Sequence, residues 1–216
     1  IREDLQALSN VDKPKSMVKL KNGETIFERQ IRILSECGIK EFVVTTGPFK
    51  EMLENVANND VFRDLKFTFV QNSIYDKTNC IYSMSLITDI IKNDDIICLH
   101  GDLVFDYKLI EDILKDNREN LCLINEHLDL PEKDFKGRII EGKLDKISVD
   151  IFDANCFAFQ PLYKLSSNIV NKWCDKVSEF VSNGIVNVYA ENALNEIMNE
   201  ILIEPFSYSS YYIDEI

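Results

Sequence analysis

The sequence predicts an α/β domain, a three-layer sandwich of helices about a mostly parallel mixed sheet, with a small β-hairpin inserted near residue 140. Three observations predict it. Apolar segments of strand length take turns with segments of helical spacing along the whole chain. The order strand, helix, strand, helix makes parallel neighbours the natural pairing, because parallel strands need a crossover between them. The chain has 216 residues, 45% of them hydrophobic, enough to bury one full core, so a single domain over 1–216 is expected.

The elements follow in order. A cationic turn, Asp12 to Val18, leads to a helix that opens with Thr25 and Glu28 at capping-box spacing. That helix sets Phe27, Ile31 and Leu34 on one face and stops at Gly38. Strands are expected at 41–46, 66–71, 95–100, 120–125, 154–160 and 201–206. Helices are expected at 50–58, 80–92, 108–116, 162–182 and 191–200. Between them Arg138 to Leu144 reads as a hairpin turned at Glu141-Gly142-Lys143, an insertion placed to cover a substrate.

Charge narrows the function. Against 24 basic residues stand 37 acidic ones, for a net −13, which repels nucleic acid and anionic membranes. A polyanionic substrate must then be drawn by a few local cations, backbone amides or a metal ion. The six cysteines are scattered among apolar residues with no CxxC pair, which reads as reduced thiols of a cytoplasmic protein. No apolar run approaches the ~18 residues of a membrane span, and the first residues lack the apolar stretch of a signal peptide.

Ligands of open α/β sheets bind outside the carboxyl ends of the strands, which singles out three groups. Lys15 follows Pro14 in the cationic turn and could neutralise phosphate, although Lys-Pro-Lys also occurs in ordinary surface turns. Gly101-Asp102 leaves the strand at 95–100, where a carboxylate can hold Mg²⁺ or simply cap the next helix. Asn72 to Ser83, reading NSIYDKTNCIYS, could face a base and ribose, or be a solvated loop with ordinary caps.

Together these segments resemble the nucleoside-triphosphate transferases that make nucleotide sugars and related activated alcohols. The resemblance runs from DKPKSMVKLKNGETIFERQIRILSECGIKEFVVTTG through Asn79-x-Ile-Tyr82-Ser83, Gly101-Asp102 and Tyr189-Ala190-Glu191-Asn192-Ala193-Leu194 to Tyr212-Ile213-Asp214-Glu215. It implies the Rossmann-like, GT-A-like nucleotidyltransferase fold and Mg²⁺ held by Asp102 and Asp214. It further implies that Lys15 steadies phosphate charge and that Asn72, Thr78, Asn79, Ser83 and Gly101 lie along the nucleotide. Within the family, the TNxIYS and YxExAL segments most resemble bacterial phosphocholine cytidylyltransferases. Glu191, with Tyr189 and Asp153, is then the candidate contact to the acceptor.

The family opens with a strand and a glycine-rich loop ending in arginine, whereas this chain starts at Ile1-Arg2 and has no G-x-G. Such a segment is therefore expected ahead of Ile1, with Arg2 the weaker substitute, and a further helix is expected after Ile216.

An aromatic cage suits a choline-like cation. The second half offers Phe152, Phe157, Phe159, Tyr163, Trp173, Tyr189, Tyr211 and Tyr212 near Asp150, Asp153 and Glu191, with Trp173 better read as helix packing. His100 and His127 stand alone, and His100 reads as a strand-end histidine satisfied by hydrogen bonds.

The expected activity is Mg²⁺-dependent transfer of CMP from CTP to a small phosphorylated or phosphonate alcohol, with pyrophosphate released. Two alternatives stay open: a sugar-1-phosphate uridylyl- or guanylyltransferase, and a non-catalytic nucleotide-binding regulatory module. A glycosyltransferase is disfavoured because Asp102-Leu103-Val104 is not an Asp-x-Asp pair. Pairing with a second copy, or fusion to another domain, is open as well.

Overall fold

The computed structural model describes residues 13–216. Helix α1 (Ile26–Glu36) begins as its sequence dictates: the Thr25 side chain accepts from the Glu28 amide, and the Glu28 carboxylate takes the Thr25 amide in return. Strand β1 (Glu41–Thr46), helix α2 (Lys50–Ala57) and strand β2 (Lys66–Gln71) follow, and β2 pairs parallel to β1 from Glu41↔Lys66 to Thr46↔Gln71.

The expected helix at 80–92 is two short ones, α3 (Cys80–Ser85) and α4 (Thr88–Ile91). Around the break, Ser85 Oγ donates to the Tyr82 carbonyl and Thr88 Oγ1 to the Ser85 carbonyl, side-chain bonds that compete with the helical ladder.

Strand β3 (Ile96–Leu99) then turns at Gly101-Asp102 into β4 (Leu103–Phe105), and helix α5 (Tyr107–Lys115) leads to β5 (Leu121–Asn125). The hairpin is β6 (Lys136–Ile140) and β7 (Lys143–Ser148), with Glu141 and Gly142 both at positive φ in the two-residue turn that matches strand twist. Because β6 also pairs with β8 (Cys156–Leu165), the hairpin extends the sheet and is not a detached flap. Strand β8 runs five residues past the expected end at Gln160, so helix α6 (Ser167–Ser182) starts later than expected. The chain closes with α7 (Ala190–Asn195), β9 (Glu204–Ser207) and β10 (Ile213–Glu215).

The sheet is mixed. Strands β1–β2 and β5–β9 pair in parallel, while β8 runs antiparallel to β5 along one edge and to β6 and β3 along the other. The hairpin reverses the chain ahead of β8, which accounts for its direction. Two helical layers cover the sheet. In β5, Leu121 and Leu123 face α1 and α5, where Ile33, Leu34, Leu109, Ile110 and Ile113 are buried. Cys122 and Ile124 face the opposite layer of α3, α6 and α7, with Ile81, Ile169, Trp173 and Leu194.

Among the described residues, β1 pairs only with β2, and β3 only with β8. A cavity of about 1280 Å³ is lined by residues 41–45 of the first and 96–99 of the second, together with the flanking residues 39–40 and 100–101. Consecutive strand residues line it, so the strands present their hydrogen-bonding edges to it and not one pleated face. Phe27, Ile31 and Leu34 of α1 and Met84 and Ile91 of α3 and α4 contribute to the apolar lining.

Candidate active site

The β3–β4 turn carries Asp102 and is clamped from α1. Gln30, only 6% exposed, donates through Nε2 to the carbonyls of His100 (3.2 Å) and Leu103 (2.8 Å), which flank Gly101-Asp102. Arg29 donates to the Phe105 carbonyl at 2.8 and 3.2 Å. From the other end of the chain, β10 pairs antiparallel with β4, and the Ile216 amide donates to the Asp102 carbonyl at 3.1 Å.

Three consequences follow for the candidate residues. Lys15, in a 3-10 turn over Lys15–Met17, donates from Nζ to Asp102 Oδ2 at 3.1 Å across 87 positions of sequence. Its side chain is 61% exposed and can swing to another anion. Asp102, Glu215 and His100 each offer a ligand atom, and these atoms lie within 4.8 Å of one another. The carboxylate gathered with Asp102 is thus Glu215; Asp214, next to it on β10, points the other way by strand alternation and acts electrostatically on Tyr208 and Tyr212.

Burial raises the Glu215 carboxyl and the Asp102 charge raises it further, against the pull of His100 and Lys15. Burial pulls the His100 imidazole down, but the contact with Glu191 and the charges of Glu191, Asp102 and Glu215 outweigh it, so its pKa is raised.

At the carboxyl end of β2, Asn72 is buried and gathers the loop around itself. Its Nδ2 donates to Thr78 Oγ1 (3.0 Å) and Ser83 Oγ (3.1 Å), and its Oδ1 accepts from the Ile74 amide. Asn79 caps α3 by accepting from the Cys80 amide at 2.7 Å. Much of the hydrogen-bonding capacity of NSIYDKTNCIYS is therefore spent within the segment. Ser83 lines the same cavity as Ser16, His100, Gly101 and Glu191.

The acceptor candidates divide. Glu191 is 2% exposed: its Oε1 accepts from the Tyr163 hydroxyl at 3.0 Å and lies 3.5 Å from His100 Nε2, while its Oε2 is buried without a partner. Tyr189 packs edge-on to Phe135 (4.9 Å), and Phe135 edge-on to His100 (6.1 Å). Asp153 belongs to another cluster, paired with Arg138 at 3.4 Å and accepting from the Asn155 amide. Trp173 is core, its Nε1 donating to the Ala190 carbonyl, and Tyr163 and Phe159 are buried with it. Arg2 and Asp12 lie outside the described residues.

Sequence reading missed Glu215, Gln30 and Phe135, and offered Tyr163 only as one of several aromatics. Only Glu215 had a signal, a second carboxylate beside the expected one on a strand whose phase the local sequence does not set.

A domain with acidic groups and a lysine gathered at the carboxyl edge of a mixed α/β sheet is built to handle phosphates, and the relatives of the chain say which kind. The chain belongs to the MobA-like NTP transferase domain family, whose model matches residues 9–127, more than half its length. Its fold is similar to that of the inositol-1-phosphate CTP transferase from T. maritima, with a TM-score of 0.75 at 16% identity over 99% of this chain and 84% of that one. The CTP:phosphocholine cytidylyltransferase from Streptococcus pneumoniae gives 0.74 at 18% identity over 95% and 85%. A UDP-glucose pyrophosphorylase complexed with UDP-glucose gives 0.68 at 15% over 90% and 82%. No curated protein matches the chain in sequence. The protein is a nucleotidyltransferase. Among its described residues no helix is long and apolar enough to cross a membrane.

Proposed function

We propose that the protein transfers CMP from CTP to a small phosphorylated or phosphonate alcohol carrying a cationic head group. An acceptor oxygen attacks the α-phosphorus in line, forming one P–O bond as the α–β bridging P–O bond breaks and pyrophosphate leaves. Lys15, freed from Asp102 by its exposed stem, moves to the phosphates and neutralises charge that grows in the transition state.

Asp102 and Glu215 hold a divalent cation, Mg²⁺ by family resemblance, with Asp214 as the carboxylate that the resemblance nominates. The fit is geometric: ligand atoms within 4.8 Å of one another suit an ion bound at about 2.0–2.6 Å from each. When bound, the cation offsets phosphate charge and polarises the phosphoryl oxygens.

The observation that carries the choice of acceptor is Glu191 Oε2, a buried carboxylate oxygen without a partner beside the aromatic run Tyr189–Phe135–His100. A cation fits such a place, since ring faces and a carboxylate both attract it and a buried lone anion is costly. A neutral sugar phosphate is the second reading, favoured by the likeness to UDP-glucose pyrophosphorylase.

The test is pyrophosphate release by the intact gene product with Mg²⁺, crossing CTP, UTP, GTP and dTTP against phosphocholine, phosphoethanolamine, aminoethylphosphonate and glucose-1-phosphate. Release with CTP and an amino-alcohol acceptor, abolished in a folded Asp102→Ala variant, is expected. Release with the sugar phosphate alone overturns the acceptor reading, and full turnover by Asp102→Ala overturns the role of that carboxylate.

A further inference from the structure

Resting on the cation reading above, we propose that His100 is a nitrogen ligand of that cation, held in place by Glu191, so that the site prefers a first-row transition ion such as Mn²⁺ to Mg²⁺.

The histidine stands between two carboxylate groups with different tasks. Its Nε2 lies 3.5 Å from Glu191 Oε1, on the buried side. It also shares with Asp102 and Glu215 the cluster whose ligand atoms lie within 4.8 Å of one another. In the proposed site Nε2 is assigned to Glu191 and Nδ1 to the cation. A metal-bound histidine whose second nitrogen donates to a carboxylate is a recurrent arrangement, because that partner fixes the tautomer and makes the ring a better donor.

Glu191 is built to be such a partner. It is 2% exposed, and its Oε1 is positioned by the Tyr163 hydroxyl at 3.0 Å. The ring is further confined by Phe135, edge-on at 6.1 Å. A surface histidine near two acids would have neither constraint. Mg²⁺ is served by oxygen ligands and water, whereas imidazole raises affinity for transition ions. The mixed nitrogen and oxygen set therefore shifts the preference.

The test is Mn²⁺ binding to the full-length protein without nucleotide, followed by electron paramagnetic resonance, with Mg²⁺ as competitor. The wild type should show an imidazole nitrogen coupling on bound Mn²⁺ and should resist Mg²⁺ competition. His100→Gln, which keeps a polar group near the Nε2 position, should lose the coupling and about tenfold or more of Mn²⁺ affinity while Mg²⁺ affinity moves far less. Glu191→Gln should weaken Mn²⁺ in the same direction with the coupling retained.

Bound Mn²⁺ with no nitrogen coupling and equal affinity in His100→Gln overturns the histidine ligand and leaves the carboxylate site standing. Mn²⁺ binding that survives Asp102→Ala, or no binding by the wild type, overturns both.

Discussion

Gln30 lies outside the proposed cation cluster, yet its hydrogen bonds hold the turn that carries Asp102. Replacing it with Leu keeps the volume of the side chain in its buried position on α1 while removing both donors. The Leu103 carbonyl loses a 2.8 Å bond, and the His100 carbonyl loses one of 3.2 Å, keeping the 3.4 Å turn bond from the Leu103 amide. A buried acceptor left unmatched costs about 1–3 kcal/mol. One carbonyl loses a strong bond and the other a weaker one, so a net loss of about 2 kcal/mol is expected, partly offset by the added apolar burial. A domain stable by about 5–15 kcal/mol survives this and can be assayed folded.

Urea unfolding read by circular dichroism gives the stability change, and Mn²⁺ titration of the same samples gives the site. Stability should fall by about 2 kcal/mol with an unchanged m-value, and cation affinity should fall with it, since Asp102 sits between the two released carbonyls. A Gln30→Leu protein within about 0.5 kcal/mol of the wild type and with wild-type affinity would show that the turn holds itself and that the helix clamp is incidental.

Other expectations follow from single contacts. In Gly137→Ala the new Cβ would meet Phe159 Cδ2 at 2.7 Å, so a loss of about 1–3 kcal/mol is expected by urea midpoint. Gly101→Ala, where the nearest atom is Ser16 Cβ at 3.9 Å, should leave stability nearly unchanged, and equal losses would refute the steric account. Lys136 is fully buried and donates to the Pro131 and Val149 carbonyls at 2.6 Å each, so Lys136→Met should cost about 2–5 kcal/mol by the same assay. Native-like stability would mean that those carbonyls find other donors. The folded pKa of His100 is raised above the unfolded value of about 6.5, so its stabilisation is complete below that value and is lost as pH rises through the folded one. The stability difference between wild type and His100→Asn should therefore shrink from about pH 5.5 to pH 9, and a difference independent of pH would contradict the sign.

What the sequence made legible is what local chemistry decides. The Thr25–Glu28 capping box and the Glu141-Gly142 turn each satisfy their own backbone within a few residues, and the apolar run of β5 is buried at all five positions. The errors are non-local. Leu162 and Tyr163 suit a helix as well as a strand, and become strand because Cys98, Leu99 and Cys122 supply partners. Strands β4 and β10 have three residues each and no pattern of their own; their pairing alone makes them strands. That pairing also fixes the phase of Asp214 and Glu215, which is why the expected carboxylate and the one gathered with Asp102 are neighbours. Lys15 and Asp102 were both singled out by their positions next to strands and turns, but nothing in the spacing could bring them to 3.1 Å.

The charge of the gathered site constrains the order in which its ligands arrive. Lys15 pairs with Asp102 beside Glu215 and His100, and Glu191 lies against the histidine, so three carboxylates stand against one lysine and one histidine in a protein of net charge −13. A triphosphate approaching that cluster meets repulsion at short range, where salt screens it poorly because the carboxylates are partly buried. On the proposed reading Asp102 and Glu215 would hold a divalent ion, which would offset their charge and leave Lys15 free to pair with a phosphate. On that reading the same negative field would repel a nucleotide already paired with its cation less than a bare one, and would favour an acceptor whose head group is positive over one that is neutral.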